Sequence, residues 1–226
     1  MSSSHSGAAS AYGDRTADGD LQRGVVEQLL RSARNDDDGD AIGRLLELYR
    51  NYLTVLATTQ FDRRLRQRVS PSDLVQDALL AAHRDFRQFN GDSERQFLAW
   101  LRQILIHCLH HAIDMHVKAK RRDVRCEVSI DQAATALDRS AMNLAEMLPD
   151  RAPSPSAPLR ARERAVTVAN RLAGLRPAYR EVIIMRNLQG LSFDEIAQRM
   201  DRNSGAVRML WLRAVEKLKH AAAPEE

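Results

Sequence analysis

Apolar residues along the chain recur mostly at helical spacing, three or four apart. Val25, Val26, Leu29 and Leu30 form one such stretch, which stops in the acidic run Asn35-Asp36-Asp37-Asp38-Gly39-Asp40. Asp40 is placed to cap a second helix whose apolar stripe is Ile42, Leu45, Leu46, Tyr49, Leu53 and Leu56. A basic stretch follows, with Arg63, Arg64, Arg66 and Arg68. Ser70-Pro71-Ser72-Asp73 then reads as a helix start: either serine can cap, Pro71 suits the first turn, and Asp73 complements the positive end of the helix dipole. Leu74, Val75, Ala78, Leu79, Ala82 and Phe86 continue it as an amphipathic helix. After the turn Asn90-Gly91-Asp92-Ser93, a helix from about Glu94 to about Ala119 carries Phe97, Leu98, Leu101, Ile104, Leu105, Cys108, Leu109 and Ile113.

From residue 123 to 160 the pattern fades. Val128-Ser129-Ile130 suits a short extended piece, large apolar residues become few, and the Pro-, Ser- and Ala-rich run 149–158 has linker composition. Periodicity resumes in four stretches: Leu159–Leu175, Pro177–Asn187, Phe193–Met200 and Ser204–His220. The predicted architecture is all-α, two small helical domains joined by a flexible linker. Its parts are a disordered tail (1–20), an N-terminal helical domain (21–122), the linker (123–158) and a C-terminal domain (159–221) that contains a helix-turn-helix.

The last two helices carry the chemistry. Ser192 and Glu195 have the spacing of a capping box, Asp201-Arg202-Asn203 makes a tight turn, and Ser204 is placed to cap the second helix. Ile196, Ala197 and Met200 face inward, with Val207, Leu210, Trp211, Ala214, Val215 and Leu218 as the apolar face opposite. Arg202, Asn203, Ser204, Ala206, Arg208, Met209 and Arg213 are left near the turn and along the outer face. A recognition helix needs such free N-terminal residues to reach base edges in the major groove, with arginines for guanine or phosphate. An ordinary helical hairpin in a bundle core would share the caps and the apolar faces but has no need of the basic outer face.

Composition narrows the alternatives. The chain has 226 residues, of which 44% are hydrophobic but only 5% aromatic, which favours helices over a β-sandwich or barrel. No apolar run reaches the roughly 20 residues that span a bilayer, and the Ser/Gly/Ala/Asp-rich N-terminus lacks the apolar core of a signal peptide, so a cytoplasmic protein without membrane insertion is expected. Two cysteines, Cys108 and Cys126, are too few for a disulfide framework. The net charge of +4 argues only weakly for a polyanionic partner. No Ser/His/Asp set has the spacing of a nucleophilic triad and no Gly-rich phosphate loop is present, so no enzyme activity and no cofactor are expected. His107 and His111 have a zinc-compatible spacing near His110 and His116. A site would need a third ligand that only Cys108 or Cys126 offers, and no metal is expected there.

With these pieces in order, the chain resembles the sigma-70-type factors of the extracytoplasmic-function (ECF) class, dissociable promoter-specificity subunits of bacterial RNA polymerase. Asp40–Tyr49 resembles the opening helix of that family's first domain. Ser72-Asp73-Leu74-Val75-Gln76-Asp77-Ala78-Leu79-Leu80 resembles its polymerase-docking helix, and Phe97-Leu98-Ala99-Trp100-Leu101 its promoter-melting segment. Leu175-Arg176-Pro177-Ala178-Tyr179-Arg180-Glu181-Val182 resembles the start of its second domain.

The resemblance implies a transcription initiation factor that binds core polymerase, on the clamp of the largest subunit and the flap of the second-largest. It reads the −35 and −10 promoter elements and is often silenced by an anti-sigma factor. It assigns Asp73, Gln76, Asp77 and Arg84 to polymerase docking. Trp100, Arg102, Gln103, His107, Arg121 and Arg122 fall to −10 recognition and melting, and the outer face around Arg208 to the −35 element. Trp100 is equally a core aromatic, since Phe97, Leu101 and Ile104 share its face. Gln103, His107 and Leu210 depart from the family, which commonly has Arg, Asn and Arg there. The alternative is a stand-alone helix-turn-helix regulator binding an operator, which would need neither the docking helix nor the melting segment.

Overall fold

The computed structural model describes residues 14–35, 40–60, 69–117, 130–147 and 157–221, and their side chains except at 14–23, 116–117, 130–131 and 157–163. Among them the regular structure is helical. The N-terminal body consists of α1 (Asp14–Arg34), α2 (Ala41–Gln60), α3 (Pro71–Asp85, continued by a 3₁₀ turn at Phe86–Gln88) and α4 (Glu94–Val117). Then come α5 (Ile130–Glu146), α6 (Ala157–Gly174), α7 (Pro177–Ile183, continued by a π-helical turn at Ile184–Leu188), α8 (Phe193–Met200) and α9 (Ser204–His220).

The α3 start forms as its residues dictate. The Ser70 side chain accepts a hydrogen bond from the Ser72 N–H, Pro71 occupies the first turn, and Asp73 and Arg84 sit at the dipole ends that suit their charges. Its apolar stripe, Leu74, Val75, Ala78, Leu79 and Ala82, is buried against α2 and α4. Two tyrosines of α2 bring polar groups into that core and satisfy them there. Tyr49 donates to Glu94 Oε1 at 2.8 Å, and the Tyr52 hydroxyl accepts from Arg102 Nη1 at 3.2 Å. Beside them Phe86, Phe89, Phe97 and Trp100 pack with ring centroids 5.1 to 6.4 Å apart. The turn into α4 is tied to this cluster. A Cβ at Gly91 would come within 2.5 Å of the Phe89 ring, and Arg34 of α1 donates to the Gly91 carbonyl while lying 5.7 Å from the Phe89 centroid.

In the C-terminal body, Arg180 closes the end of α6. Its guanidinium donates to the carbonyls of Leu172 and Ala173 in the last turn and of Leu175 just beyond it. The π-helical turn after α7 leads into Gly190, whose φ of 70° suits glycine, and the Leu191 N–H returns to the Met185 carbonyl.

Two expectations about the ends of elements are corrected. The predicted tail over 1–20 is helical from Asp14 onward, because α1 is anchored by Val26 and Leu30 in the core and each preceding turn adds hydrogen bonds to an existing helix. Residues 1–13 lie outside the described residues. The cap of α9 is Asn203 rather than Ser204: Asn203 Oδ1 accepts from the Ala206 N–H at 2.7 Å, and Ser204 is the first helical residue. The stretch expected to connect the two bodies contains α5. The helix packs on α2, α4 and α6 through Ala133, Leu137, Ala141, Leu144 and Ala145, so Ile130 begins a helix rather than ending an extended piece. Val128 and Ser129 lie outside the described residues.

Candidate nucleic-acid interface

The helix-turn-helix is built by caps at each joint. Ser192 Oγ accepts from the Glu195 N–H at 3.2 Å, while Glu195 Oε2 accepts from the Ser192 N–H at 2.8 Å. The Glu195 carboxyl is thereby held below its ordinary range, first by the Ser192 backbone N–H and then by the Ser192 hydroxyl. α8 ends at Asp201, whose left-handed φ of 51° reverses the chain, and the Arg202 N–H closes on the Ala197 carbonyl. Ile196 and Ala197 of α8 are buried, as are Val207, Ala214 and Leu218 of α9. That packing fixes which face of α9 turns outward.

On the outward face Arg202, Asn203, Ala206, Arg208, Met209 and Arg213 are exposed, and Ser204 is half-buried. Asn203 spends its carbonyl oxygen on the cap. Leu210 and Trp211 are half-buried; the Trp211 indole donates to Asn187 Oδ1 at 2.9 Å and meets the Phe193 ring edge-on. α9 carries Arg208, Arg213, Lys217 and Lys219 against the single carboxylate Glu216, a cationic face suited to a phosphate backbone. Two residues outside the sequence-based set join this surface. Phe193 has the Arg186 guanidinium 4.6 Å and the Arg208 guanidinium 5.3 Å from its ring centroid. A ring two residues before the capping-box glutamate and two arginines gave no spacing signal, because they converge from three elements.

On α4, Gln103 and His107 are exposed, whereas Trp100 is half-buried within the aromatic cluster. Arg102 is a correction. It is only 5% exposed, its Nε lies 3.0 Å from Asp138 Oδ1 of α5, and its Nη1 bonds Tyr52. In this arrangement it is not an open cation beside a strand, because α5 covers that side of α4. Arg121, Arg122 and the Arg63–Arg68 stretch lie outside the described residues. His107 and His111 are exposed and Cys108 is half-buried; burial raises the Cys108 thiol pKa, and nearby Asp77 adds to the rise. Among the described residues no three His, Cys, Asp or Glu side chains gather as a metal site. On α3, Asp73, Gln76, Asp77 and Arg84 are all exposed, and Leu80, 63% exposed, stands among them. Arg84 is paired with Asp85 at 2.8 Å. Among the described residues no helix is long and apolar enough to cross a membrane.

Residues 166–218, from α6 to the end of α9, match the family described as Sigma-70, region 4. Over most of its length the chain is similar to three curated proteins. The ECF RNA polymerase sigma factor SigD of Mycobacterium tuberculosis (strain ATCC 25618 / H37Rv) is 28% identical over 207 residues, which cover 90% of this chain and 85% of that protein. The ECF RNA polymerase sigma-E factor of Escherichia coli (strain K12) is 28% identical, with 88% and 96% covered. That of Haemophilus influenzae is 25% identical, with 88% and 97% covered. A capped helix-turn-helix matching region 4, preceded by a helical body that aligns with whole sigma factors, supports a sigma-70-type sigma factor of the ECF class, a protein of transcription initiation.

Proposed function

We propose that the chain docks on core RNA polymerase through the outer face of α3, reads the −35 element with α9, and recognises and opens the −10 region with the exposed face of α4. It acts in the cytoplasm, where polymerase works. The observation that carries the reading is the outward presentation of Arg202, Ala206, Arg208, Met209 and Arg213 on a helix whose opposite face is locked by Val207, Ala214 and Leu218. Backbone contacts position such a helix on the duplex and base contacts specify the site, so α9 supplies both from one face. Arg186 and Phe193 support the same contact by holding Arg208.

On α3, Asp73, Gln76, Asp77 and Arg84 surround the exposed Leu80, which gives a polar rim around an apolar anchor of the kind reversible interfaces use. The partner surface would be the clamp of the largest subunit, with the flap of the second-largest subunit engaging the C-terminal body. On α4, Gln103 and His107 face solvent where they can meet an unstacked base, and Trp100 supports them from the aromatic cluster. An anti-sigma factor that covers both α3 and α9 would silence both contacts.

Holoenzyme assembly tests the reading. The chain should co-elute with core polymerase, and the mixture should shift promoter DNA with a steep salt dependence that neither component has alone. Operator binding by the isolated chain, unaffected by polymerase, would instead mark a stand-alone regulator.

A further inference from the structure

The line of α9 that looks away from its core carries two large apolar side chains. Val207, Trp211, Ala214 and Leu218 form the inward row. Gly205, Met209, Leu212 and Glu216 each stand two residues before one of them, about 200° around the helix. Met209 is 50% and Leu212 48% exposed, and Leu212 lies outside the sequence-based set. Arg208, one turn before Leu212, and Arg213, one turn after Met209, flank this line on opposite sides. The Arg208 guanidinium leans toward α8, 5.3 Å from the Phe193 ring centroid, and so leaves the line itself apolar.

Cations on both sides make a nucleic-acid duplex the occupant that suits this line. In the major groove the apolar group on the base edges is the 5-methyl of thymine. Guanine, adenine and cytosine present donors and acceptors there, which methionine and leucine would leave without partners. Met209 and Leu212 are about 4.5 Å apart along the helix axis, and base pairs about 3.4 Å apart, so the two side chains fall on neighbouring pairs. The Glu216 carboxylate, about 6 Å beyond Leu212, ends the apolar line with a group that accepts from a cytosine amino and repels phosphate. We infer that Met209 and Leu212 are specificity-determining residues: each packs on a thymine methyl in one of two adjacent base pairs of the −35 element, while Arg208 and Arg213 hold the phosphates on either side. The inference rests on the proposed function, since it takes α9 as the −35 reader, and adds which bases α9 selects.

Deoxyuridine tests this, because it keeps the pairing of thymine and lacks the methyl. Holoenzyme made from the full chain and core polymerase is titrated against a promoter that it uses. Each thymine on either strand of the −35 element is replaced in turn by deoxyuridine. At two adjacent base pairs the replacement should weaken binding about fourfold, the effect of withdrawing one methyl from an apolar contact. At the other thymines it should have no effect. Met209→Ala should erase the loss at one of the two pairs, and Leu212→Ala at its neighbour. Both positions are exposed and alanine favours helix, so each variant should keep the parent's melting midpoint.

Deoxyuridine that is neutral throughout the element, or losses that persist undiminished in both variants, would overturn the methyl contacts and leave the −35 assignment of α9 standing. Variants that bind the promoter as tightly as the parent would overturn them too, and assign the apolar pair to a protein partner instead. A chain that never brings polymerase to a promoter removes the proposed function, and this inference with it.

Discussion

The Arg208 guanidinium lies over the Phe193 ring, 5.3 Å from its centroid, so this exposed cation of α9 is steadied by the first residue of α8. Arg186 sits 4.6 Å from the same ring and donates to the Leu191 carbonyl, tying the arrangement to the turn before α8. Cation–π contacts at exposed sites contribute roughly 0.5–1 kcal/mol each, enough to narrow the range of an otherwise loose arginine. Phe193→Leu keeps much of the volume and removes the π face. Holoenzyme carrying it should bind promoter DNA a few-fold more weakly in fluorescence anisotropy, and the thermal midpoint of the chain should fall only slightly from the lost ring contacts.

The two surfaces should separate by mutation. Arg208→Ala is expected to weaken promoter binding while leaving affinity for core polymerase intact. Asp77→Arg and Leu80→Asp, on the exposed face of α3, should do the reverse. Titrating each variant against core polymerase and then against promoter DNA checks this; an equal loss of both affinities in any one variant would refute the division of roles.

The capping box makes a pH prediction. Because hydrogen bonds from Ser192 lower the folded-state pKa of Glu195, the ionised carboxylate stabilises the folded form above the ordinary carboxylate range. That contribution is lost as pH falls through the lowered value. Ser192→Ala removes the cap and should cost about 1 kcal/mol at neutral pH. It should also lessen, without abolishing, the acid limb of stability measured by urea denaturation between neutral pH and acid, because alanine keeps the backbone N–H that lowers the Glu195 pKa most.

Gly91 carries a steric prediction. A Cβ there would lie 2.5 Å from the Phe89 ring and 2.7 Å from Gln96 Cβ, so Gly91→Ala must displace part of the aromatic cluster. Overpacking of this kind costs typically 1–3 kcal/mol, and circular dichroism melting of the variant should show a matching loss. Since Trp100 belongs to that cluster, its fluorescence should change as well.

Local chemistry made α3, α8 and the turn at Asp201 legible, since each is set by a cap, a proline or a short polar run whose partners are a few residues away. Neighbouring capping residues left the α9 cap ambiguous: Asn203 and Ser204 can both cap, and only the backbone geometry selects Asn203. α5 escaped because its inward face is built from alanines, which carry little periodic signal, and because its seat is furnished by helices distant in the chain. Arg102 followed from that miss. A basic residue on a helix expected to meet DNA reads as exposed unless a carboxylate from elsewhere is known to cover it. The exposed faces of α3 and α9 could be derived from their own periodicity, whereas the Arg186–Phe193–Arg208 arrangement needed three elements brought together.

Start-site mapping on a genomic template library transcribed by purified core polymerase tests the central claim most directly. Adding this chain should create a new set of discrete start sites that share one upstream sequence pattern and fade with Arg208→Ala. Start sites that are the same with and without the chain would contradict the account.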